Sequence, residues 1–169
     1  VRDGQLYRHR AGDGFLHVYT SQDARIKFER VLCEEIYVDE ADGFYGKPRQ
    51  LHRAKAVDRS YLLECYPKHK AALLAAPSAT DGQTPGLKTV GDFVQVVESW
   101  RLPTSRDSGD GMHVIKAGDV ILFKEVWERL RFPFAKLAYV KRPMGYWAQG
   151  AAERLQNLQL EINKLLWVI

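Results

Sequence analysis

The chain is poor in the residues that build disulfide frameworks and metal centres. Its 169 residues include two cysteines, Cys33 and Cys65, and five histidines. No C-x-x-C or comparable ligand spacing surrounds either cysteine, which excludes a disulfide-dense miniprotein and a zinc finger. Each cysteine lies in an apolar segment and is expected as a buried free thiol, which suits a reducing compartment. Cys65 and His69 are four apart and could share a helix face, but one such pair does not complete a metal site. His9, His17, His52 and His113 follow no pattern. No apolar run approaches the roughly 20 residues that span a bilayer. The opening Val1-Arg2-Asp3-Gly4 is polar and charged, unlike a secretory signal. Net charge is small as well: 25 Lys and Arg against 21 Asp and Glu leave +4. That permits an acidic partner without requiring one.

Catalytic motifs are missing as well. There is no G-x-S-x-G elbow, Walker A loop, H-E-x-x-H, or G-x-G-x-x-G after a strand. Gly109-Asp110-Gly111 is a turn, since no helix comes after it. Nothing pairs any two carboxylates as acid and base. Aromatic residues make up 11% of the chain, but they fall at strand spacing and suit a core better than a base-stacking platform. The acidic run Asp39-Glu40-Ala41-Asp42-Gly43 invites comparison with a calcium loop. Ala41 falls where a ligand is needed, so a solvated loop or one paired with nearby arginines is expected. The expectation is an interaction or structural role, with no catalytic residue, metal site or cofactor.

What is present reads as an ordinary globular composition, 46% hydrophobic and 27% charged. Disordered and collagen-like chains are excluded. The length allows one domain or two small ones, and a chain of about 150 residues buries roughly 70% of its unfolded surface. The pattern predicts a strand at Gln5–His9, a turn at Ala11–Gly14 and a strand at Phe15–Thr20, together a hairpin. Further strands are expected at Ile26–Leu32, Glu35–Val38 and Gln50–Ala56. Asp58 then stands as N-cap to a helix running to Tyr66 and ended or kinked by Pro67, with a second helical run at Lys68–Ala76. Pro77–Gly86 is linker-like. Strands come next at Asp92–Leu102, Met112–Ile115 and Val120–Trp127, an antiparallel meander with a tight turn at Lys116–Asp119. A polar turn spans Thr104–Gly111, and a last strand is expected at Lys136–Lys141. From Ala151 onward Leu155, Leu158, Ile162, Leu165 and Ile169 recur at helical spacing on one face. That stripe is expected to pack on the chain's own sheet, the alternative being a neighbouring copy.

The densest basic stretch, Gly46–Arg59, holds Lys47, Arg49, Arg53, Lys55 and Arg59 against Asp58 alone. It is either a solvated face or a polyanion contact. The chain starts at Val1 instead of methionine and stops on Leu165-Leu166-Trp167-Val168-Ile169, so a piece of a longer protein is expected.

One long pattern goes further. Tyr139-Val140-Lys141-Arg142-Pro143-Met144-Gly145-Tyr146-Trp147-Ala148-Gln149-Gly150 leads into Ala151-Ala152-Glu153-Arg154-Leu155 and Leu158-Gln159-Leu160-Glu161-Ile162-Asn163-Lys164-Leu165. This resembles the portal, or head-to-tail connector, proteins of tailed bacteriophages. In that family an Arg/Pro/Gly-aromatic turn leaves the wing domain and opens a Leu/Gln/Asn-rich helix. Upstream, Ile26-Lys27-Phe28-Glu29-Arg30-Val31, then Glu34-Glu35-Ile36-Tyr37-Val38-Asp39, Tyr45-Gly46-Lys47-Pro48-Arg49 and the Asp58-Arg59 helix start also keep to the family's order. Trp147-Ala148 departs from the commoner Tyr-Gly pairing. The resemblance runs from about Ile26 to Ile169 and rests on order and spacing.

The resemblance implies an α+β fold of mixed or antiparallel sheet with short helices, ending in the start of a long stem-directed helix. The segments would be 1–76 as strands and helices of the wing, 77–91 as a linker, 92–142 as its meander, and 143–169 as turn and helix. It implies a structural subunit with no enzymatic activity, in a ring of copies, conventionally twelve, around a channel for double-stranded viral DNA. Capsid and scaffolding protein, the terminase large subunit and a head-completion adaptor would be its partners. Its place would be the virion's capsid vertex, after assembly in the host cytoplasm, with no membrane contact. Contact candidates are Tyr146, Trp147 and Gln149 at the turn, with Leu155, Leu158, Ile162 and Leu165 on the helix. Two other readings fit the residues. One is a basic β-rich module binding nucleic acid through Lys47, Arg49, Arg53, Lys55 and Arg59. The other is a piece of a hydrolase whose catalytic half lies elsewhere.

Overall fold

A computed structural model describes residues 12–21, 24–79 and 91–168. The strand expected at Gln5–His9, and so the hairpin built on it, lies outside the described residues. So does the linker beyond Ala79. The protein is α+β, and its described residues form two sheets in which every strand pairing is antiparallel. The chain divides into two compact units. One comprises the described residues of Val1–Glu34, Val38–Pro48 and Pro133–Ile169, and the other comprises Glu35–Tyr37 and Arg49–Phe132.

The first unit is built on a three-stranded sheet of β1 (Asp13–Thr20), β2 (Ile26–Val31) and β8 (Phe134–Ala138), in the order β2-β1-β8. The last strand, expected at Lys136–Lys141, instead starts at Phe134 and ends at Ala138, and it leaves the meander to pair with β1. Phe15 on β1 and Val31 on β2 face each other in register and are both buried. The acidic run expected as a loop is instead a short helix, α1 (Glu40–Gly43). Asp39 makes it one: its Oδ1 accepts the N–H groups of Ala41 and Asp42 at 2.9 and 3.0 Å. A carboxylate in that position satisfies the orphan donors of a first helical turn. The unit ends in α4 (Ala151–Val168), about 27 Å long.

The second unit holds a five-stranded sheet, β3 (Ile36–Tyr37), β4 (Gln50–Asp58), β5 (Phe93–Arg101), β6 (Met112–Ala117) and β7 (Val120–Val126), in sequential order. Asp58 caps α2 (Arg59–Cys65) as expected, its Oδ1 accepting Ser60 N–H at 2.7 Å. Pro67 ends that helix in a 3-10 turn (Pro67–His69), and α3 (Lys70–Ala75) comes next. Leu62 and Leu73 from the two helices bury against Val94, Val96, Ala117 and Leu122 of the sheet. Fully burying such a side chain stabilises by about 1.5–3 kcal/mol. Arg59 extends from α2 to the end of α3, donating from Nη1 to the carbonyls of Leu73 and Ala76, while Asp92 accepts from Nε and Nη2 at 2.6 and 3.0 Å. Cys65, expected buried, is exposed, and Cys33 is half-buried. The inward stripe of α2 is Leu62, Leu63 and Tyr66, and Cys65 falls off it.

Further along the same face of β5 the core turns polar. Residues 94, 96, 98 and 100 share that face by strand alternation. Trp100 is buried and stacks on its cross-strand partner His113, with centroids 5.0 Å apart and planes 6° apart. His113 Nε2 lies 2.9 Å from Glu98 Oε1, and Nδ1 lies 2.7 Å from Glu125 Oε1 on β7. Two carboxylates within hydrogen-bond distance of one ring favour its doubly protonated, cationic form. Burial pushes its pKa down, but the hydrogen bonds and charges of Glu98 and Glu125 outweigh burial and raise it. Arg53 sits opposite Glu98 in register and is buried against Glu35, Nε to Oε2 at 2.9 Å.

Candidate functional site

The residues singled out at the turn and on the last helix all belong to the first unit. β8 ends at Ala138, and the backbone crosses back through a bridge between Val140 and Gln149. Gly12 and Asp13, at the start of β1, hold the returning backbone of residues 148–150 in place. Gly12 has φ +96°, and an added Cβ would lie 2.5 Å from the Ala148 carbonyl oxygen and 2.8 Å from Gly150 N. Only glycine allows this approach. Asp13 is buried, and its Oδ2 accepts the Ala148 N–H at 2.7 Å. Lys136 Nζ stands 3.3 Å from Asp13 Oδ1 and 3.7 Å from the Tyr146 ring centroid, and it donates to the Tyr146 carbonyl. Phe15 stacks against Tyr146 and meets Trp147 edge-on. Burial, with help from the Asp13 charge, pushes the Tyr146 phenol well above its ordinary range. Burial also lowers the Lys136 pKa, against the opposing effect of Asp13.

Tyr146 and Trp147 therefore anchor the turn to β1, and Gln149 N–H donates to Val140 O at 2.8 Å. Arg142 reaches from the turn to the first turn of α4, its Nη2 on both Glu153 carboxylate oxygens at 2.5 and 2.6 Å. Glu153 also sits where a carboxylate favours the positive end of the helix dipole.

The helix itself corrects an expectation. Leu155, Leu158, Ile162 and Leu165 do share one face, but that face does not pack on the chain's own sheet. Leu158 is 60% exposed and Leu165 67%. Leu160 and Trp167, seven residues apart, form a second apolar line, with Trp167 90% exposed. At about 100° per residue, Leu160 lies roughly 140° around from Leu155. Within the helix, Gln159 Nε2 donates to Asn163 Oδ1 at 2.9 Å and Lys164 Nζ meets Glu161 Oε1 at 2.7 Å. Such pairs contribute about 0.2–0.5 kcal/mol each, too little to hold a helix without packing.

The basic stretch is dispersed. Arg53 and Arg59 are buried in ion pairs with Glu35 and Asp92. Arg49 Nη2 donates to Thr104 Oγ1 at 2.8 Å and lies 3.7 Å from Asp110. The Asp110 carboxylate is held well below its ordinary range, first by Ser108 and then by Thr104. Lys55 is half-buried on β4, and Lys47 belongs to the first unit. Strand alternation puts Arg53 on the same face of β4 as Lys55, so periodicity does not set it apart, and its carboxylate partner Glu35 is distant in sequence. Among the described residues no cluster of three or more His, Cys, Asp or Glu could hold a metal ion, and no helix is long and apolar enough to cross a membrane.

No protein-family model matches this chain, and no curated protein matches it either.

Proposed function

We propose that this chain is the wing region of a bacteriophage portal subunit, a structural protein that assembles into a ring at the capsid vertex. The observation that carries the proposal is α4. It leaves a well-anchored turn and exposes apolar residues along two lines of its surface. A helix covered on two sides by neighbours is what a head-to-tail ring offers, because each subunit presents two different surfaces to the copies beside it. Support also comes from the α+β body that precedes the helix, and from the Arg142–Trp147 turn, whose residues keep the order seen in portal proteins.

In this role the protein hydrolyses nothing. It surrounds the path of double-stranded DNA during packaging and ejection, and it serves as a platform for capsid, scaffolding, terminase and adaptor proteins in the virion. The nucleic-acid module reading has less support, since Arg53 and Arg59 are committed to internal carboxylates. Negative-stain electron microscopy of the protein expressed from its complete gene tests the proposal. Closed rings with a central channel are expected, and a monodisperse monomer at micromolar concentration refutes it.

A further inference from the structure

The Arg142–Trp147 segment separates two concavities of opposite character within the first unit. One, of about 260 Å³, has Asp39 and Glu40 in its wall. The other, of about 390 Å³, is lined by Lys47, Lys136, Lys141 and Arg142, with Tyr45, Tyr146 and Trp147 as its aromatic wall. Among the described residues lining this second cavity none is acidic. Two of its four cations are balanced from behind, Lys136 by Asp13 and Arg142 by Glu153. No carboxylate of the described residues pairs with Lys47 or Lys141. The cations also crowd one another: after burial and the effect of Asp13, the Lys141 charge adds to the pressure on the Lys136 ammonium. Like charges gathered on one concave wall raise the local positive potential and favour the entry of an anion.

We propose that this cavity binds the phosphate group of a small anion, held by Lys47 and Lys141 over the Lys136–Tyr146 floor. The charge count favours phosphate over a single carboxylate. A phosphomonoester carries about −1.5 to −2 at pH 7, which matches two unbalanced lysines. Lysine ammoniums are compact point charges suited to phosphate. The volume falls in the roughly 300–1,000 Å³ range of small-molecule sites. Tyr45, 88% exposed and meeting Phe44 edge-on, offers a ring face at the cavity to a nucleobase. The site is independent of the portal reading.

Isothermal titration of the 169-residue protein with pyrophosphate, ribose 5-phosphate and adenosine monophosphate tests this, at low and at moderate salt. Saturable one-site binding that weakens with salt is expected. K47A/K141A should reduce affinity by about tenfold or more while leaving the melting curve unchanged, because neither lysine pairs with a carboxylate of the described residues. K27A/K124A, which removes two exposed lysines outside the cavity, should leave binding intact. Tighter binding of adenosine monophosphate than of the two base-free probes, lost in Y45A, would identify a nucleotide as the source. Equal binding of all three would identify the bare phosphate group. No saturable binding at millimolar probe, equal weakening by K27A/K124A, or displacement by an oligoglutamate peptide at lower concentration than any phosphate would overturn the proposal.

Discussion

Replacing His113 by phenylalanine keeps a flat ring against Trp100 and removes both hydrogen bonds to carboxylates. Hydrogen bonds to charged groups contribute about 1.5–3 kcal/mol each. The Glu98 contact lies mostly out of solvent, whereas the Glu125 side chain is 45% exposed and its contact is discounted accordingly. His113→Phe should therefore cost the second unit about 2–4 kcal/mol at pH 6. The groups around the ring are Glu98 on β5, Glu125 on β7, and Arg53 on β4 behind Glu98. The folded pKa is raised above the ordinary 6.5. The stabilisation is therefore complete below about 6.5 and is lost as pH climbs through the higher folded value. The cost of His113→Phe should shrink by about half across that window, since a neutral ring keeps one N–H and one carboxylate partner. The assay is a urea titration monitored by amide NMR signals of β5, β6 and β7 at pH 6 and pH 9. Residue-specific signals keep the two units from blurring into one transition. A double-mutant cycle with Glu98→Gln should return a coupling of about 1–2 kcal/mol. A His113→Phe protein within about 0.5 kcal/mol of the parent at pH 6, or a deficit that does not change with pH, would refute the reasoning.

The first unit supplies three further expected outcomes. Asp13→Asn strands Lys136 without its counter-charge and should destabilise by about 3 kcal/mol, with Asp13→Asn/Lys136→Met recovering most of it, as read by thermal melting. Gly12→Ala forces a Cβ into the Ala148–Gly150 backbone at a positive φ and should cost well over about 1 kcal/mol, seen as a lowered urea midpoint. Leu158→Asp/Leu165→Asp should leave the melting temperature of the isolated chain within about 2 °C and yet abolish rings in electron micrographs, because both side chains are exposed in the single chain.

Much of the strand pattern was legible because it depends on neighbours in sequence. The β-rich composition of Phe93, Val94, Val96, Val97 and Trp100 marked β5, and the Asp58 cap and the Pro67 stop bounded α2. The run Asp39–Gly43 read as a loop, and the capping role of Asp39 emerged only with the structure. Partners far along the chain were illegible. Nothing local to Phe134–Ala138 says that it completes the sheet of β1 and not the meander before it. Nothing near Arg53 or Arg59 announces Glu35 or Asp92. The stripe on α4 showed which residues need cover, but periodicity does not say what supplies it. The lysine-lined cavity was hidden for the same reason, since Lys47 and Lys141 reach one wall only through the fold.

The pairing of His17 with Phe134 has a consequence for synthesis. β1 is the middle strand of its sheet, yet its second neighbour emerges roughly 120 residues later. At about 5–20 residues per second that is a wait of some 6–24 s on the ribosome. In the interval the second unit, continuous from Arg49 to Phe132 apart from one short strand, can close on itself. The β1–β2 hairpin meanwhile carries an open edge. The nascent chain thus passes through a stage with one finished body and one hairpin whose middle strand still lacks its second neighbour, which is when chaperone binding protects it most.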